Sequence, residues 1–372
     1  MGIIIDRRGE VVQKLKVLVV ATSVMMRKQI SNLIAEDSII EVIGAARNAS
    51  EAVSMVQELR PDVVTIDIEV PELNSLVALS SIMSQRPTPI LILSSGSKDG
   101  ITATITGLQN GAVDFISKPT QFHGPDLSQI KDELIFKIKQ AAQIPLRTLI
   151  LNNITVSKVM TGQQAEDNSK NGCMEEFDQI VAIGCGVGGP KALEIVISSL
   201  PANFPYPLLI VQHMPPKYTK VLAERLNRFS SVRVVEAKDD QLVHGGTAYI
   251  APGNCHMTVV QQGQVCRIKL HKKAPVNGYR PSIDILFESI SGLKSLKQHL
   301  ILMTGRGSDG SRGMLNAKHA GAQSILVESQ ETSIVNEMPE AAVELGCVDY
   351  VVPSFLLASK IMEVTGMLDE QF

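Results

Sequence analysis

Two residues in the second half of the chain have the types and positions of a catalytic base and its orienting acid. His213 follows the predicted strand Leu208 to Val211, and Asp309 follows the predicted strand Leu300 to Met303. In a parallel sheet the loops after the strands meet at one edge, where ligands bind. A histidine oriented there by a carboxylate can take a proton from a nucleophile during hydrolysis. Taken singly, the histidine also fits a structural role and the aspartate a turn.

A glycine-rich turn precedes both residues. Gly184-Cys-Gly186-Val-Gly-Gly189 lies between the predicted strand Ile180 to Ile183 and a predicted helix. The spacing Gly184-x-Gly186-x-x-Gly189 matches the dinucleotide-binding fingerprint, which also requires an acid about 20 residues later, at the end of the next strand. Here that strand ends in Gln212-His213, so dinucleotide binding is the weaker alternative.

Three further residues at strand ends in the first half could act on a phosphoryl group. Asp67, Ser94 and Lys118 each follow or end a predicted strand. A carboxylate acceptor, a hydroxyl and an ammonium group suit a transferred phosphoryl group, whose oxygens the last two would bind. An aspartate at a strand end is also common as a helix cap or turn residue.

Alternating β-branched runs and amphipathic stretches indicate an α/β protein with two doubly wound parallel sheets, the second one larger. Ser23 and Ser50 are the expected N-caps of the first two helices. We also expect an inserted hairpin region around Thr247 to Leu270 and a late helix after Pro339. The predicted division is a tail at 1–15, a first domain at 16–143, a polar linker at 144–178 and a second domain at 179–372.

The composition excludes several classes of protein. Hydrophobic residues make up 44% and charged residues 20% of the 372 residues, with a net charge of −3. Mixed charges of this kind favour neither nucleic-acid nor membrane-surface binding. The apolar runs are shorter than the roughly 18 residues that a membrane span needs, and no signal-peptide pattern precedes them, so we expect a cytoplasmic protein. Five scattered cysteines indicate free thiols, without zinc, and no cofactor is expected.

The first domain resembles response-regulator receiver domains. The resemblance covers residues 16 to 143 and is carried by Pro61-Asp-Val-Val-Thr-Ile-Asp67-Ile-Glu-Val-Pro71 and Asn110-Gly-Ala-Val-Asp-Phe-Ile-Ser-Lys118-Pro119. It implies that Asp67 is the phospho-acceptor, Ser94 the switch hydroxyl and Lys118 the salt-bridge lysine. Receivers place two adjacent acids that hold Mg²⁺ where this chain has Ala21-Thr22. We therefore expect a poor Mg²⁺ site and a fold kept for contacts rather than for phosphorylation.

The second domain resembles the chemotaxis receptor methylesterase family (CheB) over residues 179 to 353. The family hydrolyses methyl esters on glutamate side chains of membrane chemoreceptors, and often deamidates glutamines, with a Ser-His-Asp triad. The resemblance makes His213 the base and Asp309 its orienter, and Gly186 and Val187 replace the serine nucleophile and the threonine after it. It is carried by Val181-Ala-Ile-Gly, Val211-Gln-His-Met-Pro-Pro216, Tyr249-Ile-Ala-Pro-Gly253, Val276-Asn-Gly-Tyr-Arg-Pro-Ser282-Ile-Asp and Gly305-Arg-Gly-Ser-Asp309-Gly310.

The resemblance leaves three hypotheses. The first is an impaired or inactive member that binds chemoreceptor cytoplasmic domains, with a chemotaxis histidine kinase as a candidate partner. The second is an active esterase that uses Cys185 or a water activated by His213. The third is a dinucleotide-binding protein. The backbone N–H of Arg306 is the expected oxyanion donor, and an arginine here, where the family usually has an apolar residue, could also bind a carboxylate. We favour the first hypothesis because Ala21-Thr22 and Gly186 are both losses of reactive groups.

Overall fold

The computed structural model describes residues 4–5, 11–12, 14–68, 74–118, 130–151, 176–263 and 265–368. Its contacts divide the chain into two compact units, Met1–Asn153 and Ile154–Phe372. Each unit contains one parallel sheet with helices, and the second sheet is the larger, so the predicted fold class is confirmed. Among the described residues, no helix combines the length and the apolar character needed to span a bilayer.

The first unit is built on a five-stranded parallel sheet with the order β4-β3-β5-β6-β7. Its central strands are apolar and almost fully buried, as expected for strands covered by helices on both faces. The strands are β1 (Ile4–Ile5), β2 (Val11–Val12), β3 (Leu15–Val20), β4 (Ile40–Ala46), β5 (Val63–Ile68), β6 (Ile90–Ser94) and β7 (Asp114–Ser117). The helices are α1 (Val24–Ala35), α2 (Ala49–Leu59), α3 (Asn74–Gln85), α4 (Lys98–Gln109), α5 (Lys131–Ala141) and α6 (146–151).

Three local expectations for this unit need comment. Ser23 caps α1 and accepts a hydrogen bond from the Met26 N–H, as predicted. The prediction for α2 was wrong, because the Asn48 side chain is the cap and Ser50 lies inside the helix. The first compact unit extends to Asn153, past the predicted domain end at residue 143, and it includes α6. The remaining linker residues 152–175 lie outside the described part of the chain, and β1 and β2 pair within the predicted tail.

The second unit is built on a seven-stranded parallel sheet with the order β10-β11-β9-β8-β14-β15-β16, and β12 and β13 form the expected antiparallel hairpin. Its strands are β8 (Gln179–Cys185), β9 (Leu208–Gln212), β10 (Arg233–Glu236), β11 (Thr247–Ile250), β12 (His256–Gln262), β13 (Val265–His271), β14 (Lys297–Leu302), β15 (Ser324–Glu328) and β16 (Tyr350–Val352). Its helices are α7 (Gly189–Ser198), α8 (Tyr218–Phe229), α9 (Ile283–Ser291), α10 (Ser311–Ala320), α11 (Glu337–Glu344) and α12 (Ser354–Val364).

The order of the strands positions the site. β8 lies between β9 and β14, so the loops that follow these three strands meet at the carboxyl edge of the sheet. The late helix α11 begins at Glu337, two residues before Pro339 rather than after it. Proline is tolerated there because the first-turn N–H groups have no intrahelical acceptor.

Candidate active site

His213 and Asp309 form a buried pair at this edge. His213 directly follows β9, and Asp309 lies in the loop between β14 and α10. The His213 Nε2 and Asp309 Oδ2 atoms are 2.8 Å apart. The histidine side chain is 7% exposed and the aspartate side chain is fully buried. The structure thus brings together the base and the orienting acid that the sequence suggested.

The N-terminus of α9 holds Asp309 in place. The Ile283 N–H donates to Asp309 Oδ2 at 2.7 Å, and the Ser282 hydroxyl donates to Oδ1 at 2.8 Å. Burial alone would raise the pKa of the Asp309 carboxyl, but the hydrogen bond and charge of His213 and these two donors lower it. Asp309 is therefore ionised and fixes the orientation of the imidazole ring.

A second carboxylate supports this arrangement. Asp284 accepts hydrogen bonds from the Gly310 N–H at 2.9 Å and the Gly313 N–H at 2.7 Å, and Asn277 donates to it at 3.0 Å. Burial and the charge of Asp309 raise the pKa of Asp284 to about 6. Asp284 thus links α9 to the start of α10, next to Asp309.

Gly186 lies where a nucleophile would face the base. Its N–H donates to the Thr304 carbonyl at 2.8 Å, and its backbone is outside the left-handed region. A Cβ atom added at this position would lie 3.4 Å from His213 Nδ1 and 3.1 Å from the Gly305 Cα. Because Nε2 is bound to Asp309, Nδ1 is the nitrogen that a side chain at position 186 would meet.

Cys185 is directed elsewhere. Its Sγ atom is 3.0 Å from Gln212 Oε1 and 3.7 Å from the Val211 carbonyl, both on β9. The side chain is fully buried. Burial, together with the charge of Glu328, raises the pKa of the Cys185 thiol well above its usual value. A neutral thiol in this position is a packing group rather than a nucleophile.

The loop after β14 forms the other side of the site. The Thr304 N–H donates to Glu328 at 2.8 Å. The Arg306 carbonyl accepts a hydrogen bond from the Tyr279 hydroxyl at 3.3 Å, and the Tyr279 ring stacks on the His213 ring with centroids 3.8 Å apart. Arg306 follows Gly305, whose Cα would be the closest of the contacts to a Cβ atom at position 186. The assignment of the Arg306 N–H as the oxyanion donor stays a prediction.

Several residues of the site had no role assigned from the sequence. They lie in one stretch, residues 276–284, which carries part of the family resemblance, and they are Asn277, Tyr279, Ser282 and Asp284. A serine followed two residues later by an aspartate is typical of a helix start, and that signal could have predicted α9. Nothing in the sequence indicates that this helix start binds a carboxylate from a distant loop.

The glycines of the turn are explained by packing. A Cβ atom at Gly184 would lie 2.3 Å from Ile283 Cγ2, and one at Gly189 would lie 2.0 Å from Gln212 Oε1. These glycines let α9 and Gln212 approach the turn, and Gln212 Nε2 donates to the Gly186 carbonyl at 2.8 Å. Packing therefore explains these glycines without a bound dinucleotide.

In the first unit, Asp67 and Lys118 form a buried ion pair, and the Ser94 hydroxyl accepts a hydrogen bond from Thr104. At the end of β3, the Arg27 guanidinium donates to the carbonyls of Ala21 and Thr22 at 2.6 and 2.8 Å. An arginine thus lies at the backbone of the two positions where acids would bind Mg²⁺. The described residues contain no cluster of three metal-binding side chains, and the expected poor Mg²⁺ site stays a prediction.

Comparison with known proteins finds a matching family for each of the two domains. The CheB methylesterase model matches residues 181–361, and the response regulator receiver domain model matches residues 17–126. The protein-glutamate methylesterase/protein-glutamine glutaminase of Geobacillus kaustophilus is 39% identical over 95% of this chain and 99% of its own length. The protein of that name from Archaeoglobus fulgidus is 40% identical over 94% and 97%.

Two solved structures from Thermotoga maritima are also similar. The CheB methylesterase catalytic domain is 37% identical and covers 50% of this chain and 99% of its own, with a TM-score of 0.49. The response regulator domain of CheB is 41% identical and covers 36% and 99%, with a TM-score of 0.33.

Proposed function

Since this chain belongs to the CheB methylesterase family, we propose that it is a non-hydrolysing member that binds the glutamyl side chains of chemoreceptors. The observation that carries the proposal is the glycine opposite His213 Nδ1. Hydrolysis through an acyl intermediate needs an oxygen or sulfur at this position to attack the ester, while the imidazole takes its proton. Gly186 has no such atom.

The size of the loss supports an impaired enzyme. In a comparable triad, removal of the serine lowers kcat by about 10⁶-fold and leaves only about 10³ to 10⁴ over the reaction in water. His213 is oriented by an ionised Asp309. The Arg306 carbonyl accepts a hydrogen bond from Tyr279, whose ring stacks on His213. A frame of this kind retains binding groups without retaining catalysis.

The geometry argues against Cys185 as a replacement nucleophile. Its thiol packs against Gln212, and burial raises its pKa, whereas attack on an ester requires the thiolate. A water molecule deprotonated by His213 is the other route to activity. It would lack the positioning that a covalent nucleophile supplies.

The partners follow from the family and stay part of this proposal. The cytoplasmic domains of chemoreceptors are the expected partners of the second unit, and a chemotaxis histidine kinase is the candidate partner of the receiver. We propose that the chain acts in the cytoplasm. The Ala21-Thr22 positions and Arg27 support a receiver that acts through contacts without Mg²⁺-dependent phosphorylation.

Methanol release from methyl-labelled chemoreceptor membranes tests the proposal. The full-length protein and its Cys185→Ala variant would be compared with a catalytically active family member, and cosedimentation would measure binding to the same membranes. We expect cosedimentation without methanol release above background. Release by the wild type that Cys185→Ala abolishes would refute the proposal in favour of a thiol nucleophile. Release that persists in Cys185→Ala would refute it in favour of an activated water.

A further inference from the structure

We propose that the loops beside His213 bind an acidic polypeptide segment through Lys217, Lys272, Lys273 and Arg280. The inference rests on the proposed function and deepens it, because it names the kind of receptor segment that this site takes. In such a segment the target glutamyl residue is flanked by further acidic side chains. We call these four cations the basic rim.

The first part of the basic rim lies in the loop that carries His213. Lys217 comes four residues after the histidine, between β9 and α8, and its side chain is exposed. The loop after β11 packs against this one, because a Cβ atom at Gly253 would lie only 2.4 Å from the Pro215 carbonyl carbon. These two loops therefore share one surface beside the site.

Arg280 links the remaining loops to this surface. Its Nε atom donates to Asn254 Oδ1 at 2.8 Å, and its Nη1 atom donates to the carbonyls of Lys272 and Lys273 at 3.3 and 3.0 Å. Tyr279, the residue before it, stacks on the histidine ring of the site. The backbones of all four cations thus belong to loops that adjoin the histidine.

The structure pairs none of these cations with an acid. The three lysines of the basic rim are exposed, the arginine is partly exposed, and no described carboxylate forms an ion pair with any of them. On β13, by contrast, Arg267 and Lys269 both pair with Asp240. Neighbouring cations without acids repel one another, and an acidic partner would relieve this repulsion. The net charge of the chain is −3, so the positive surface is a local feature.

Lys217 is difficult to explain by stability. Its φ angle is 75°, in the left-handed region that favours glycine. It is also the N-cap of α8 and makes no side-chain cap hydrogen bond, so it places a cation at the positive end of the helix dipole. Both features cost stability, and backbone strain of this kind is concentrated at functional sites. A lysine at this position therefore favours a binding role.

The basic rim suits a segment with several separate carboxylates better than a single small anion. Its charges come from different loops, and water screens each of them, so any one ion pair is weak. Several weak pairs add up when the partner presents several acids together, as a helix does with glutamates three or four residues apart on one face. With the target side chain at His213, acids on the neighbouring turns would meet the rim.

Two fluorescein-labelled, alanine-based helical peptides test the inference. Each has one central glutamate; the acidic probe carries four more glutamates on the same helix face, and the neutral probe carries glutamines there. Fluorescence anisotropy at low salt would give the Kd of each probe for the full-length protein. Because each exposed ion pair contributes only about twofold, we expect the acidic probe to bind at least about tenfold more tightly. Added sodium chloride should remove most of this difference.

Matched charge variants separate the basic rim from the net charge of the protein. The rim variant combines Lys217→Gln, Lys272→Gln and Lys273→Gln. The control variant combines Arg228→Gln, Arg233→Gln and Lys294→Gln, which remove the same charge near the amino edge of the sheet. We expect the rim variant to bind the acidic probe about eightfold more weakly than the wild type, and the control variant to change its Kd less than twofold.

A single variant separates binding from folding at Lys217. Lys217→Gly removes the charge and the left-handed strain together, so it should weaken binding of the acidic probe about twofold without lowering the Tm. Equal affinities for the two probes, no binding of either, equal losses in the rim and control variants, or a lower Tm with unchanged affinity in Lys217→Gly would overturn the inference. Methanol release from chemoreceptor membranes, or no cosedimentation with them, refutes the proposed function instead, so the two failures are distinguishable.

Discussion

Gly186→Ser is expected to restore hydrolysis. The added Cβ atom meets ordinary contacts at His213 Nδ1 (3.4 Å) and Met338 Sδ (3.5 Å). Only the Gly305 Cα, at 3.1 Å, must give by a few tenths of an ångström. The backbone at position 186 is outside the left-handed region, so a side chain adds no strain of that kind. The serine hydroxyl can then face the unbound nitrogen of the imidazole.

The expected gain follows from what the serine contributes to a triad. Losing it costs about 10⁶-fold in kcat, which corresponds to about 8 kcal/mol of transition-state stabilisation. Full recovery requires the hydroxyl to lie within hydrogen-bond reach of His213 Nδ1, and the tight contact with Gly305 works against this. We therefore expect an increase of at least about 10³-fold over the wild type.

The assay is the rate of methanol release from methyl-labelled chemoreceptors. The matched control is Gly186→Ala, which adds the same Cβ atom without the hydroxyl and should release none. The double variant Gly186→Ser with His213→Ala should also be inactive, because the serine then has no base. A well-folded Gly186→Ser protein that releases no more methanol than Gly186→Ala would refute the view that the site is intact apart from its nucleophile.

Three further predictions concern other groups. Cys185 should react with iodoacetamide at pH 8 at least tenfold more slowly than the less buried Cys255, and rapid modification seen by mass spectrometry would show a thiolate. Burial raises the pKa of Glu328 to about 7, so its contribution to stability is present below about pH 4.5 and is lost as the pH rises through 7. Urea unfolding would measure the free energy of unfolding of Glu328→Gln minus that of the wild type. This difference should rise by about 2 kcal/mol from pH 5 to pH 8.5, and an unchanged difference would contradict that pKa. Acetyl phosphate with Mg²⁺ should leave Asp67 of the wild type unmodified. A variant with acids at positions 21 and 22, after β3, should be phosphorylated at least tenfold more. A stable acyl phosphate on the wild type would contradict the prediction.

Much of the fold could be predicted because both sheets are parallel. Strands such as β5 and β8 are continuous apolar runs, and the chain alternates them with amphipathic helices. The positions of His213 and Asp309 follow from the same rule. His213 comes directly after β9, and Asp309 lies in the loop after β14. Short elements were missed, among them β10 and β16, because three or four residues give too little periodicity to identify.

The contacts within the site could not be predicted in the same way. α9 comes after an irregular stretch, and its N-terminus binds a carboxylate 25 to 27 residues further along the chain. Sequence patterns report local periodicity, whereas this contact depends on how two loops pack. The same limit applies to Cys185, whose direction toward Gln212 is decided by the turn between β8 and α7.

Asp309 has a structural role that does not involve catalysis. Its carboxylate accepts hydrogen bonds from Ser282, Ile283 and His213, and all of these donors are buried or nearly so. Leaving buried donors unpaired costs about 1 to 3 kcal/mol each, and a lost helix cap costs about 1 kcal/mol. These contacts give the acid and its partners a structural role that does not depend on a nucleophile at position 186.

We therefore expect Asp309→Ala to destabilise the second unit by about 3 kcal/mol, although Gly186 offers no hydroxyl to the pair. Urea unfolding followed by circular dichroism would measure the change, with the exposed Asp178→Ala as a matched control that should cost less than about 0.5 kcal/mol. A cost below 1 kcal/mol for Asp309→Ala would show that Asp309 has little structural role. The place of this acid beside His213 would then have to be explained by ligand binding, which cosedimentation of the Asp309→Ala variant with chemoreceptor membranes measures.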